Sequence, residues 1–330
     1  MAIQTAPPTV ALTTSSTDTS MCAEDNNRNH QRLSGRIRKS PSNYDSSENI
    51  ICAYGIGDKC DKIAFILSKL FPNELDILAR SSYQYMKSPV PSQRNIFAAR
   101  VVHRILESKK GNVASTLTKV KKLIEFRREA KVDELITAFD NDSKKKFGNT
   151  TELLQKQLAS KKFYVHGFDK EGRSTLYFIP RNVFDHDLDS AIYSIERAIA
   201  CSRSLDKAIN CVVDFSKFPL SNAPSLEIGK QFLTTLRLIY AGQINRIFLV
   251  NVPFSFSILW NVFSPFVGTD TRDKIAIIRD NNKEKEKEML DLYNPQELPN
   301  WAVPGGKKNR SLDLHEYLFV LPFDTAFDSQ

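Results

Sequence analysis

Arg246-Ile-Phe-Leu-Val-Asn251 is a run of four apolar residues between polar ends. It does not alternate apolar with polar, so it suits a strand covered on both faces. Outward from it on the N-terminal side, a helix is expected from about Pro224 to Tyr240. Before that helix, Ala208-Ile-Asn-Cys-Val-Val-Asp214 is a second near-continuous apolar run. On the C-terminal side a helix through Phe256, Leu259, Trp260 and Phe263 leads to a last strand, Ile275-Ala-Ile-Ile278. Strand and helix alternate, which implies βαβ crossovers and a mainly parallel sheet, an α/β fold.

Further upstream, Phe163-Tyr-Val-His-Gly-Phe168 and Thr175-Leu-Tyr-Phe-Ile179 flank the Gly-punctuated Asp169-Lys-Glu-Gly-Arg173 and read as a hairpin. A helix with Leu188, Ala191, Ile192, Ile195 and Ile199 on one face follows. From Lys62 to about Ser160 the signal is helical. Val113, Leu117, Val120 and Ile124 keep the spacing of a buried stripe, with Asn112 or Gly111 marking the helix start. Residues 1–58 are polar and aperiodic, too poor in apolar surface to offset their ordering entropy, and are expected to be disordered. The expected organisation is therefore a tail over 1–58, an N-terminal helical bundle over 59–160, the α/β domain over 161–320 and a C-terminal tail over 321–330.

Across 330 residues the formal net charge is +8. Residues 1–58 hold five Lys or Arg against six Asp or Glu, so the excess positive charge sits on the part expected to fold. A basic surface serves nucleic acid or anionic membrane. No nucleic-acid module is recognisable, so nucleic acid is not an expected partner. The 21 Phe against 2 Trp fit a large apolar interior or pocket. No run of about 18 apolar residues is present, so none is expected to span a membrane, and the N-terminus does not read as a secretory signal. Five cysteines without CxxC spacing read as reduced thiols of a cytosolic protein.

Catalytic signatures are missing. No Gly-x-Gly-x-x-Gly follows a strand, Gly55-Ile-Gly57 lies in the tail, and Gly305-Gly-Lys307 lacks the earlier Gly of a P-loop. No Gly-x-Ser-x-Gly elbow occurs, and His30, His103, His166, His186 and His315 form no pair with metal-ligand spacing. Neither an enzyme, nor a metal, nor a cofactor is expected.

Several stretches fall in one order: Gly167-Phe-Asp-Lys-Glu-Gly-Arg173, Val212-Val-Asp-Phe-Ser-Lys-Phe-Pro-Leu-Ser-Asn222, Asn245-Arg-Ile-Phe-Leu-Val-Asn-Val-Pro-Phe254, Trp260-Asn-Val-Phe-Ser-Pro-Phe266, Thr271-Arg-Asp-Lys-Ile275, Leu298-Pro and Gly305-Gly306. This succession resembles the CRAL-TRIO domain, known from yeast phosphatidylinositol-transfer proteins and from retinal- and tocopherol-binding proteins. The resemblance covers roughly residues 60–315. It implies a parallel sheet with helices, an N-terminal bundle, and a gate helix over an apolar cavity that holds one lipid without covalent chemistry.

The resemblance also assigns a site. Lys109, Lys110, Thr271 and Lys274 match basic and hydroxyl residues that hold an inositol phosphate in the family's phosphatidylinositol binders. Those binders carry Tyr-Pro-Glu-Arg before the central strand. Here the run is Tyr240-Ala-Gly-Gln243, and Gly242 stands where a Glu would anchor a Lys. Val213, Phe248, Val250 and Ile277 are expected to line the pocket, with Phe254, Phe256, Phe263 and Phe266 in the gate and Gly305 and Gly306 as its hinge. The implied function is that of a cytoplasmic, monomeric carrier of a phospholipid or other lipophile, touching membranes transiently. The alternatives are a binder of haem, sterol or isoprenoid, for which Tyr164, Tyr177 or His166 would matter, and a regulatory adaptor that keeps the fold for protein contact.

Overall fold

The computed structural model describes residues 59–140, 144–182, 188–204, 206–219, 221, 223, 225–240, 242–279, 283–308 and 311–327. The expected N-terminal tail, with Gly55 and Gly57, lies outside the described residues, as does His186.

The first part is helical: α1 (Cys60–Ser68), α2 (Pro72–Ala79), α3 (Tyr83–Lys87), α4 (Arg94–Ser108), α5 (Val113–Glu129), α6 (Val132–Ile136) and α7 (Lys144–Ala159). Asn112 starts α5 as its spacing implied, its side chain accepting a 2.9 Å hydrogen bond from the Ser115 amide. Val120, Leu123 and Ile124 are buried along the stripe.

The hairpin forms from β1 (Phe163–Phe168) and β2 (Ser174–Phe178). Asp169 organises its turn, accepting from the amides of Glu171 at 2.9 Å and Arg173 at 2.8 Å, and from the Asn210 side chain at 2.8 Å. After α8 (Leu188–Cys201) come β3 (Ile209–Asp214), α9 (Leu226–Ile239), β4 (Ile244–Val250), α10 (Phe256–Phe263), the short α11 (Thr269–Arg272) and β5 (Ile275–Ile277). Strand order in space follows the sequence, β1 to β5. The first pair is antiparallel and the other three are parallel. The α/β sheet with crossover helices is the fold that the alternation implied.

Register sorts the strand residues onto two faces. Leu176, Cys211, Ile247 and Ile275 are cross-strand neighbours, as are Phe178, Val213, Leu249 and Ile277, and both rows share one face. Near β1 this face meets α8 and the bundle in one continuous core, and near β5 it meets α10 through Phe256. Tyr177, Val212, Phe248 and Ala276 form a row on the other face. That face is closed by Met289 of α12 (Lys283–Leu292) and by Tyr293, Leu298, Ala302 and Val303.

Two expectations are corrected here. Val213, Phe248, Val250 and Ile277 do not form one wall. Val213 and Ile277 face α10, whereas Phe248 and Val250 lie fully buried under the 289–303 segment, because side chains one residue apart on paired strands point oppositely. The C-terminal tail expected from 321 is instead packed through 327. Phe323, Ala326 and Phe327 are buried, and the Arg197 guanidinium donates to the carbonyls of Tyr317 at 2.6 Å, Pro322 at 3.3 Å and Thr325 at 3.2 Å. The bundle and the sheet share polar ties as well as core. Arg127 of α5 donates to Glu196 of α8 at 2.8 Å and to Asp133 at 2.9 Å, and Tyr240 donates to the same Glu196 oxygen at 3.2 Å.

Candidate functional site

A cleft of about 2370 Å³ opens between α4 and α5 on one side and α9, the 242–244 loop and the 265–274 segment on the other. Lys109, Lys110, Thr271 and Lys274 all line it, although more than 160 residues separate the first pair from the second.

Each is positioned by local backbone chemistry. The chain leaves α4 through two consecutive left-handed residues, Lys110 (φ 51°) and Gly111 (φ 76°), and the Gly111 amide donates to the Leu106 carbonyl at 2.9 Å. This Gly-terminated helix end presents the basic pair at the cleft. Thr271 sits in α11, and its hydroxyl has no hydrogen-bond partner among the described residues. Lys274 follows α11, and its ammonium donates to the Ile244 carbonyl at the start of β4.

The Gly242 departure is built into the backbone. Gly242 has φ 78°, and a Cβ placed there would lie 3.1 Å from Arg104 Cγ. The position holds no acid and has no room for one without rearrangement. Arg104 thus borders the cleft with no hydrogen bond or ion pair among the described residues, and its Nε is buried and unsatisfied. Burial pushes its guanidinium down to about 10, with Glu196 opposing and Arg127 reinforcing the shift. Glu196 is already committed to Arg127 and Tyr240.

Among the described residues eleven Lys or Arg against three Asp or Glu line the cleft, and together they give it a positive field. One of the acids, Glu107, is bonded by Lys59 and lies 3.5 Å from the His103 imidazole. The Lys59 hydrogen bond holds its carboxyl below the usual range. Leu233, Leu236, Ile247 and Val267 contribute apolar wall. An anionic group with an apolar attachment matches this lining.

The expected gate residues divide. Phe256 is buried on the sheet against Val213 and Leu249, its ring 4.8 Å from that of Phe215. Phe263 packs onto Gly229 of α9, where a side chain would collide with the ring. Phe266 lines the cleft, with the Lys230 ammonium 5.4 Å from its ring centre. Phe254 points outward and is 96% exposed, and Ile258 and Val262 are exposed at successive four-residue steps. In this structure α10 is therefore seated directly on the sheet, and the cleft lies beside it. Gly305 and Gly306 are not beside α10. Gly306 packs against the Leu298 and Pro299 carbonyls, in the segment that covers the opposite face.

Tyr164, His166 and Tyr177 lie on that opposite face too. Tyr164 stacks on Tyr177 at 5.1 Å, and His166 meets the Phe327 ring edge-on at 5.2 Å. Sequence reading missed Arg104, Lys119 and Arg237 as cleft residues. A signal for Arg104 existed, since it is a charge among the buried Val101, Val102, Ile105 and Leu106 of one helix. Nothing in the local sequence marks Arg237.

Among the described residues no helix is long and apolar enough to cross a membrane, and no group of His, Cys, Asp and Glu has the arrangement to hold a metal ion.

The family model of the CRAL/TRIO domain matches residues 158–301, and the chain carries a CRAL-TRIO domain. A CRAL-TRIO domain-containing protein of Schizosaccharomyces pombe is 26% identical over 262 residues, which is 69% of this chain and 25% of the relative. The phosphatidylinositol/phosphatidylcholine transfer protein SFH12 of Arabidopsis thaliana is 25% identical over 223 residues, 59% of this chain and 37% of that protein. The SEC14 cytosolic factor of Candida glabrata is 26% identical over 216 residues, 56% of this chain and 70% of that protein. The chain spans half or less of the first relatives it matches.

Proposed function

We propose that this chain is a lipid carrier that binds one phospholipid, phosphatidylinositol in the first instance, and exchanges it at membrane surfaces without covalent chemistry. The observation that carries the reading is the convergence of Lys109, Lys110, Thr271 and Lys274, from two distant parts of the chain, on one basic cleft. An ammonium pairs with a phosphate as a point charge, and the Thr271 hydroxyl is free to donate beside it. Acyl chains find apolar cover along Leu233, Leu236 and Ile247, at about 0.8 kcal/mol per methylene buried. One relative, named a phosphatidylinositol/phosphatidylcholine transfer protein, supports the same class of ligand.

Exchange requires contact with a bilayer. Phe254, just before α10, and Ile258 and Val262 on its outer side offer an apolar patch, and the basic cleft suits an anionic leaflet. The protein would act as a cytosolic monomer with transient membrane contact. A haem site at Tyr164, His166 and Tyr177 draws no support from their packing within a closed face.

The test is mass spectrometry of lipids co-purified with the protein from cells, joined to vesicle transfer assays. The expected result is a bound phospholipid, and a Lys274→Ala variant that loses phosphatidylinositol transfer more than phosphatidylcholine transfer. One charge-assisted contact is worth on the order of 1.5–3 kcal/mol and acts only on the ligand whose phosphate it meets. A protein that carries no lipid and transfers none would end the proposal. Equal loss for both lipids would remove Lys274 from the headgroup site.

A further inference from the structure

A void of about 10 Å³ lies where the helical bundle meets the helices of the sheet. Six polar side chains surround it: Ser81 between α2 and α3, Arg104 of α4, Arg127 of α5, Glu196 of α8, Tyr240 after α9 and Gln243 before β4. Leu123 and Ile239 complete the lining. The void is separate from the cleft, although Ser81, Arg104, Tyr240 and Gln243 border both.

The hydrogen bonds around it do not close. Both Nη atoms of Arg127 are committed, one to Glu196 at 2.8 Å and the other to Asp133 at 2.9 Å. The same Glu196 oxygen accepts from the Tyr240 hydroxyl at 3.2 Å. Three polar atoms of the lining side chains are left buried with no hydrogen-bond partner among the described residues: Ser81 Oγ, Arg104 Nε and Arg127 Nε. A buried donor without an acceptor carries its full desolvation penalty, and the penalty is larger for charged groups. Three such atoms on the walls of one small void call for a single shared partner.

Size and bonding capacity say which. Room for one water begins at about 10–15 Å³, so the void takes a water and nothing as large as a phosphate or carboxylate. A water has lone pairs for the two guanidinium Nε–H groups and a proton for Ser81 Oγ. That makes about three hydrogen bonds, the usual complement of a buried water. A halide ion is larger than a water, and the Glu196 carboxylate bordering the same void repels it.

We infer that this void is a binding site for one structural water, which accepts from Arg104 Nε and Arg127 Nε and donates to Ser81 Oγ. The water joins three segments of the bundle, and Arg127 extends the link to Glu196 of α8. The inference is independent of the lipid-carrier proposal, since it concerns a closed joint and not the cleft.

The experiment is a crystal structure of the full chain at a resolution that shows ordered water, with a second crystal soaked in bromide. The expected result is one density peak that refines as a fully occupied water within hydrogen-bond distance of all three atoms, with no anomalous bromide signal there. A bromide peak at that position overturns the inference in favour of an anion site. A map without a peak overturns it too, as does a side-chain arrangement in which the three atoms bond to protein groups. Arg104→Met keeps a stem against Gly242 and removes the Nε–H donor, so the peak should weaken or vanish in its map. A fully occupied peak in a folded Arg104→Met removes Arg104 from the site and overturns the inference as stated. If that variant does not fold, the maps of the parent chain decide.

Discussion

Cys201 ends α8 with its sulfur 3.5 Å from the Phe323 carbonyl, beneath the C-terminal segment. Burial pushes its thiol up to about 12, with Arg197 opposing. The thiolate is the nucleophile, so a raised value keeps this cysteine unreactive at neutral and mildly basic pH. Iodoacetamide at pH 8 is expected to leave Cys201 unmodified in the folded protein and to modify it readily in denaturant. Peptide mapping by mass spectrometry reads the site directly. Alkylation in the native state at the denatured rate would mean that the C-terminal segment does not cover it. At this scale the sequence was partly legible. Lys109, Lys110, Thr271 and Lys274 were named from matched motifs, and Gly242 was recognised as a missing acid. Arg104 matches the N-terminal bundle of the family but is not legible as a cleft residue, because an arginine in a helix is ordinarily an exposed, solvated group. Gly242 packs against its stem and Glu196 is committed to Arg127, so its Nε has no hydrogen-bond partner among the described residues.

Among the elements, β4 and α10 divide what had been read as one apolar chamber. Phe248 is fully buried against Tyr293 and the 289–303 segment, so Phe248→Glu would place an unpaired carboxylate in a closed core. That variant is expected to lose its cooperative thermal transition. Ile258→Glu puts the same charge on the outer side of α10, where Ile258 is 60% exposed. It should fold with a midpoint close to the parent's and bind anionic vesicles more weakly, since an apolar contact is removed and a like charge is added. Circular dichroism with vesicle sedimentation separates the two variants. A folded Phe248→Glu would contradict the face assignment, and unchanged sedimentation of Ile258→Glu would exclude the outer stripe from membrane contact. Parity within β4 was readable from sequence. Its alignment with β3 was not, because the register that pairs Val213 with Leu249 rather than with Phe248 depends on how the strands are brought together by α9.

Over the whole molecule, the C-terminal segment acts as a clasp. Tyr317, Leu318, Phe323 and Phe327 are buried, and Arg197 ties the carbonyls of Tyr317, Pro322 and Thr325 to α8. Each buried side chain of this size contributes roughly 1.5–3 kcal/mol. Together they are comparable to the net stability of a domain, roughly 5–15 kcal/mol. Truncation after residue 311 is therefore expected to yield a protein without a cooperative melt by calorimetry. A truncated chain that melts within a few degrees of the parent would show the segment to be dispensable.

The sequence by itself determined the order of the strands and of the crossover helices between them, the helical character of the N-terminal part, the hairpin at Asp169, the start of α5 at Asn112 and the parallel crossovers. Those features depend on residues within a few positions of one another, through capping, turn chemistry and apolar periodicity. Tertiary structure alone decided that Phe248 faces a closed core while Val213 faces α10, that residues 321–327 are packed, and that α10 lies on the sheet with the cleft at its side. It also decided that the Arg104 Nε is buried without a hydrogen-bond partner among the described residues. The physical reason is that strand register, burial and charge pairing are relations between surfaces distant in the chain, and no local pattern carries them.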